Sequence, residues 1–300
     1  MSTSRRKSHQ GKAGKRRANR SRIVWLAVAA VLVTGLAAWW LSARGQTAST
    51  QDAGLGQLGG DLHALTFAPE DRIFYGQHGG LQISSDAGQS WTPPSGTGDA
   101  MAISSSPAQP ETIYQAGHDL FLKSTDGGQS WSSPGFGNLP GTDIHGFAVA
   151  PENGWLYANI AGQGLHRSTD ADGTWEFVSP ATGAAMALAT GPGVPAVLYA
   201  ATMDQGLIRS ADGGESWQRV TQVPGMSMSG IYVHPESGNV YVAGQQGIYR
   251  SNDGGQSWTE QGPDEPMALV TADADETMIV GVAQQGQVYR SDDGGATWHR

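Results

Sequence analysis

From residue 62 onward, apolar and polar residues alternate over stretches of four to six positions, and each stretch stops at Gly, Pro, Asn or Asp. Leu62-His-Ala-Leu-Thr-Phe67 ends in Ala-Pro, Arg72-Ile-Phe-Tyr75 runs into a Gly-rich turn, and Leu81-Gln-Ile83 follows. Period-two alternation with this punctuation predicts short antiparallel strands. The same order returns between Asp143 and Trp175, with IHGFAVAP and WLYANI as the first two strands. One stretch breaks the pattern. Ile23 to Leu41 runs 19 residues without a charge, about the length of a membrane-spanning helix, with Trp25 and Trp39-Trp40 at its ends as interfacial anchors.

Each group of strands closes on one motif, Ser-x-Asp-x-Gly-x-(Ser/Thr)-Trp. Its six copies end at Trp91, Trp131, Trp175, Trp217, Trp258 and Trp298, a period of 40 to 44 residues. In such a turn the Asp accepts from nearby backbone N–H groups, Gly supplies a positive φ, and Trp opens the return strand with a large face to bury. The conserved-spacing positions are Asp86, Asp126, Asp170, Asp212, Asp253 and Asp293; the third copy has Asp172 where Gly is expected, which predicts a reshaped turn. A repeat of this length calls for a solenoid or a propeller. Four strands in each of six units predict an all-β, six-bladed β-propeller over residues 53–300, preceded by one transmembrane helix. The last unit stops two residues after Trp298, so residues 52–61 are expected to supply its outer strand and remove the open edge.

The motif resembles the Asp box, or bacterial neuraminidase repeat, of the sialidase, sortilin and photosystem II assembly factor propellers. That resemblance covers the whole repeat region but rests on the boxes alone. It implies boxes on the third-to-fourth-strand turns and functional sites on the opposite face. It also supplies a precedent for a membrane-associated propeller that binds protein partners, although the assembly factor has seven blades. A device present six times is structural, so the boxes speak for fold and not for activity. Tyr75, Tyr114, Tyr157, Tyr199 and Tyr241 fall at one second-strand position, Val280 taking the sixth, and are expected to pack between blades.

Charge divides the chain. Residues 1–44 hold ten Lys and Arg and no acid, whereas residues 45–300 hold eight basic and 27 acidic residues. The repeat region therefore lacks the basic face that nucleic acid requires. A basic segment directly before the apolar run leaves the N-terminus in the cytoplasm by the positive-inside rule. The expected order is a basic cytoplasmic tail (1–22), a transmembrane anchor (23–41), a small polar tether (42–52) and an extracytoplasmic propeller, in the periplasm or outside the cell. A cleaved signal peptide is the rival, but the apolar run is long for one and Leu41-Ser42-Ala43 is the best cleavage site on offer. Absence of Cys excludes disulfides and thiolate metal sites.

Candidate chemistry lies on the face away from the boxes. The first-strand starts carry His63, Met101, His145, Met186, Met228 and Met267 at one equivalent position. These are either a packing layer, Met filling gaps, or ligands of a soft metal, since imidazole and thioether together suit Cu(I). Copper is the first cofactor to test. The second-to-third-strand turns add a polar rim, His78, His118, Gln163, Gln205 and Gln246, able to hydrogen-bond a protein partner or glycan or simply to be solvated tips. Asp61, Asp99 and Asp143 each precede a first-strand position by two residues and are the candidates for a glycoside hydrolase acid and base. The sialidase arginine cluster and Phe/Tyr-Arg-Ile-Pro motif are absent: the region holds seven arginines, four of them, Arg167, Arg209, Arg250 and Arg290, at a repeated box-side position. A non-catalytic binding or assembly module is the primary expectation, a glycoside hydrolase the alternative.

Overall fold

The computed structural model describes residues 55–300 except Thr97, Ala171 and Asp172. The basic tail, the apolar run and the tether lie outside the described residues, as does part of the third motif. Among the described residues every regular element is a strand, and no helix is long and apolar enough to cross a membrane.

The strands form six antiparallel sheets, each built from consecutive strands. They are β1 (Ala64–Ala68), β2 (Arg72–Gln77) and β3 (Gly80–Ser84); β4 (Ala102–Ser106), β5 (Gln109–Gly117) and β6 (Leu120–Ser124); β7 (Ile144–Val149), β8 (Leu156–Ile160), β9 (Gly164–Ser168) and β10 (Glu176–Ser179). Then follow β11 (Ala185–Gly191), β12 (Val197–Thr202), β13 (Gly206–Ser210) and β14 (Gln218–Arg219); β15 (Met226–Val233), β16 (Val240–Gly244), β17 (Gly247–Ser251) and β18 (Thr259–Gly262); β19 (Met267–Ala272), β20 (Ile279–Ala283) and β21 (Val288–Ser291). Where no fourth strand is named, a single bridge marks its place: Leu81 with Ser95, Lys123 with Ser132, and Arg290 with His299. The first strand of each sheet packs on the first strands of the sheets before and after it, and β1 packs on β19.

Second strands are the most deeply buried, as expected for strands covered on both faces. Tyr75, Tyr157, Tyr199 and Tyr241 are fully enclosed, so the repeated tyrosine is a packing residue. Three of these hydroxyls are held individually: Tyr75 donates to the Gly59 carbonyl at 2.9 Å, Tyr199 accepts from Arg209 Nε at 3.1 Å, and Tyr241 donates to Glu276 at 2.5 Å.

The motif turns are built alike. Ser251 Oγ donates to Asp253 Oδ1 and accepts from Gly255 N, both at 2.8 Å, while Asp253 receives Ser257 N–H at 2.9 Å and Ser257 Oγ–H at 2.5 Å. The same serine, aspartate and glycine bonds occur around Asp86, Asp126, Asp212 and Asp293. Bonds from the motif's own Ser or Thr side chain, then its N–H, hold the carboxyls of Asp126, Asp212, Asp253 and Asp293 down at about 2. The third motif keeps the Ser168 Oγ–H to Asp170 Oδ1 bond at 3.0 Å and has an additional anchor in Asn138. Trp175 N–H donates to Asn138 Oδ1 at 2.6 Å, Asn138 Nδ2 donates back to the Trp175 carbonyl at 2.9 Å, and the ring packs on Phe121 in the core.

Residues 56–58 and His299 meet at β21. Gln57 bridges antiparallel to Gln287, Leu58 N–H donates to the Gly286 carbonyl at 2.8 Å, and Val288 N–H donates to the Gly56 carbonyl at 3.2 Å. Leu58 is buried against Ile73, Val280 and Val288. The outer edge of the last sheet is therefore shared: residues 56–58 cover its start, and His299 covers its end.

Candidate functional site

First-strand starts and second-to-third-strand turns lie together at the end of each sheet away from the motif turns, because neighbouring strands are antiparallel. Backbone pairing then joins one sheet's turn to the next sheet's first strand. His78, in the β2–β3 turn, bridges Asp99, which leads into β4; His118, in the β5–β6 turn, bridges Asp143, which leads into β7. Ala100 N–H donates to the Gln77 carbonyl at 3.2 Å and Gly79 N–H to the Gly98 carbonyl at 3.1 Å, so the first junction is fixed by main chain on both sides. Gly117, at the end of β5, lets that strand close on the Asp99 main chain. A Cβ there would stand 1.6 Å from the Asp99 carbonyl oxygen, closer than any side chain can approach.

These junctions draw seven side chains into one array. Asp61 faces His78 Nδ1 in a very short contact. Asp99 Oδ2 lies 2.8 Å from His78 Nε2 and 2.6 Å from His118 Nδ1, and its Oδ1 lies 3.6 Å from His63 Nε2. Asp143 Oδ1 is 3.1 Å from His118 Nε2 and 3.0 Å from His145 Nε2. His63 Nε2 also stands 3.3 Å from His78 Nε2, and the His118 and His145 Nε2 atoms are 3.1 Å apart. Three overlapping groups result, Asp61/His63/His78, His78/Asp99/His118 and His118/Asp143/His145, each with one ligand atom per residue within 4.8 Å of the others.

The three carboxylates differ in environment. Asp61 and Asp143 are 69% and 50% exposed, whereas Asp99 is 12% exposed. Both Asp99 oxygens are shut off from water and, like Asp143 Oδ1, take part in no well-directed hydrogen bond despite the imidazole nitrogens around them. A buried anion without directed donors is costly unless a cation neutralises it. Burial pushes the His63 imidazole below its ordinary range, against the Asp99 charge, which raises it. The hydrogen bond with Asp61 raises His78.

The expected site residues sort unequally. The structure brings together His63 and His145 from the first-strand set, His78 and His118 from the rim, and Asp61, Asp99 and Asp143 from the carboxylate set, three groups that the sequence kept apart. The methionines are placed differently. Met267 is wholly buried among Tyr241, Ile248 and Val270, Met101 is buried, and Met186 is half-buried at a bulge in the pairing of β11 with β12. The main chain places Met228 within β15. Gln163, Gln205 and Gln246 stand exposed on their turns, where Gln163 Nε2 donates to the Pro140 carbonyl at 3.4 Å and Gln246 accepts from Tyr249 at 3.3 Å. The signal that could have united the array was the shared Asp-x-(His/Met) spacing at Asp61, Asp99 and Asp143. A cavity of about 440 Å³ lies at the other ends of the first strands, lined by residues such as Phe67, Ser104, Val149, Thr190 and Ala272, away from the histidines.

The family model described as sortilin, neurotensin receptor 3, matches residues 205–300, about a third of the chain. A solved GH74 xyloglucanase from Xanthomonas campestris superposes with a TM-score of 0.55 at 18% identity, over 82% of this chain and 46% of that one. YCF48, solved bound to a D1 peptide, gives a TM-score of 0.53 at 18% identity, over 81% of this chain and 83% of that one. The protein is a β-propeller. A gluconolactonase from Xanthomonas campestris extends the likeness, with a TM-score of 0.61 at 12% identity over 82% of this chain and 93% of that one. At these identities the likeness is one of fold. The propeller's chain spans less than half the length of the xyloglucanase. No curated protein matches its sequence.

Proposed function

We propose that the protein is a membrane-anchored, six-bladed, extracytoplasmic propeller that serves as a non-catalytic metal-binding module. Six sheets whose first strands pack in cyclic order support the blade count. The uncharged run 23–41 behind a basic tail supports the anchor and its orientation. The observation that carries the metal reading is Asp99: a carboxylate removed from water, with imidazole nitrogens from two sheets aimed at it and no directed hydrogen bond of its own.

The groups within reach of one another are imidazoles and carboxylates, a harder set than the thioether and imidazole pairing expected from the sequence. That set favours divalent transition ions over Cu(I). Copper remains within this reading as Cu(II). The neighbours in fold include both enzymes and a peptide-bound protein, so fold alone does not choose between catalysis and binding. Local chemistry does favour binding. Glycoside hydrolysis needs one carboxylic acid and one carboxylate flanking a sugar. Here Asp61, Asp99 and Asp143 each face imidazole nitrogens, and the arginines Arg167, Arg209, Arg250 and Arg290 sit at third-strand ends on the motif side. A protein partner or glycan on the same face, contacted by His78, His118, Gln163, Gln205 and Gln246, belongs to this proposal as the ligand that the metal face would present itself to.

The test is metal retention. Purified full-length protein is dialysed against a mixture of Zn²⁺, Co²⁺, Ni²⁺ and Cu²⁺ and then analysed for bound metal. Retention of a divalent ion that disappears in a His78→Ala/His118→Ala variant is the expected result. Metal-free protein, or retention unchanged by the variant, would refute the reading.

A further inference from the structure

The metal reading of the His/Asp face can be taken to individual atoms, because the three overlapping groups cannot all be filled at once. His78 belongs to two of them and His118 to two. A neutral imidazole has one lone pair and one N–H, so it offers a ligand atom at one nitrogen only; a second requires loss of the N–H proton. His78 directs Nδ1 at Asp61 and Nε2 at Asp99, while His118 directs Nδ1 at Asp99 and Nε2 at Asp143. The array therefore has two self-consistent fillings with neutral imidazoles. One ion sits in the middle, or the ends are filled, singly or together.

The surroundings decide between them. A central ion uses His78 Nε2, His118 Nδ1 and the Asp99 carboxylate, the one acid of the three that is nearly closed off from water. It leaves His78 Nδ1–H to donate to Asp61 and keeps His118 Nε2 beside Asp143 Oδ1, 3.1 Å away. Each ligating imidazole then has a carboxylate behind it, the arrangement that fixes the tautomer and strengthens the ligand. Two end ions would instead rely on Asp61 and Asp143, both at least half exposed, and would leave Asp99 without a cation. We infer that the propeller binds a single divalent transition ion through His78 Nε2, Asp99 and His118 Nδ1, with Asp61 and Asp143 as positioning residues for the two imidazoles.

This assignment rests on the metal-binding reading above and names the ion class, the ligand atoms and the stoichiometry. Two imidazoles and one carboxylate, with two of the three residues about half exposed, leave coordination positions facing solvent. Such a set suits Zn²⁺, Co²⁺ or Ni²⁺. The ion would also tie the first sheet to the second, since His78 comes from one and Asp99 and His118 from the other.

The experiment is a titration of the full-length protein with Co²⁺ followed by its visible absorption, with Zn²⁺ as competitor and Ag⁺ as the soft-ion probe. Expected are one Co²⁺ per chain, displacement by Zn²⁺, and no competition by Ag⁺. Asp99→Asn, nearly isosteric, should abolish the signal, and His118→Gln serves as a second variant should the first fail to fold. Asp61→Asn should weaken affinity by about 10- to 100-fold with stoichiometry unchanged. In ¹⁵N-labelled protein, Zn²⁺ should shift His78 Nε2 and His118 Nδ1, and Asp61→Asn should move the His78 Nδ1 resonance. Two ions per chain, lost one at a time in His63→Ala and His145→Ala, would overturn the central assignment while leaving a metal-binding face. Ag⁺ binding that displaces Co²⁺ and is lost with Met101→Leu would overturn the ion class. Absence of any bound metal would overturn the functional reading along with this inference.

Discussion

The buried serine of each motif turn provides a sharp energetic test, and Ser251→Ala is the clearest case. Ser251 is 1% exposed, and its Oγ both donates to Asp253 Oδ1 and accepts from the buried Gly255 N–H. Alanine removes both bonds. The Asp253 side can be repaired by water, because that carboxylate also serves exposed Ser257. The Gly255 N–H cannot, and an unsatisfied buried donor costs about 1–3 kcal/mol. For a domain of this size the melting midpoint should fall by about 2–4 °C for each kcal/mol, hence by roughly 2–12 °C. The control is Ser257→Ala, which deletes a bond of 2.5 Å to the same carboxylate at an exposed position and should cost well under 1 kcal/mol, as exposed bonds do. Urea denaturation followed by tryptophan fluorescence measures both, since Trp258 ends the same motif. Equal losses in the two variants, or a Ser251→Ala loss below about 0.5 kcal/mol, would refute the reasoning that burial of one backbone donor, and not the short contact to aspartate, carries the turn.

Three further outcomes follow from the same structure. The motif carboxyls titrate at about 2 when folded and near 3.8 when free. Unfolding therefore takes up protons between those values, so stability is complete above about pH 4, falls as pH drops through 2, and levels below; ¹³C carboxyl titration showing these residues near 3.8 would contradict this. Gly117→Ala should destabilise the second sheet and disturb Asp99, because the added Cβ meets the Asp99 carbonyl oxygen; unchanged stability together with unchanged metal binding would show that the junction yields. Leu58→Ala, in the segment that completes the last sheet, should cost about 2–5 kcal/mol, measured by the denaturation midpoint, if residues 56–58 are joined to β21 as described; a loss below about 1 kcal/mol would mean that the joint contributes little.

The strands were legible because their signal is local. Alternation, Gly punctuation and a six-fold motif repeat the same message, and Tyr75, Tyr157, Tyr199 and Tyr241 declared a packing position simply by recurring. The closing segment was legible by subtraction, since one unit lacked an outer strand and the residues before the first strand had no unit. The candidate site was only half legible. His63, His78, Asp99 and His118 were each singled out, but in three separate sets, because linear spacing does not show that the turn of one sheet pairs with the lead-in of the next. The methionines show the complementary limit. Met267 shares a sequence position with His63, yet a side chain at the start of β19 enters the core between Tyr241 and Ile248, while His63, just before β1, stays beside Asp99 and His78. Equivalent backbone positions do not impose equivalent side-chain surroundings when the neighbouring turns differ in sequence.

The central claim is that an ion sits between His78, Asp99 and His118. Crystals of the full-length protein grown with Co²⁺ and measured on both sides of the cobalt absorption edge test it directly. The account predicts one anomalous peak per chain, within bonding distance of His78 Nε2, an Asp99 oxygen and His118 Nδ1, with Asp61 and Asp143 each hydrogen-bonded to the far nitrogen of its imidazole. Peaks beside His63 or His145, or no peak on this face at all, would contradict it.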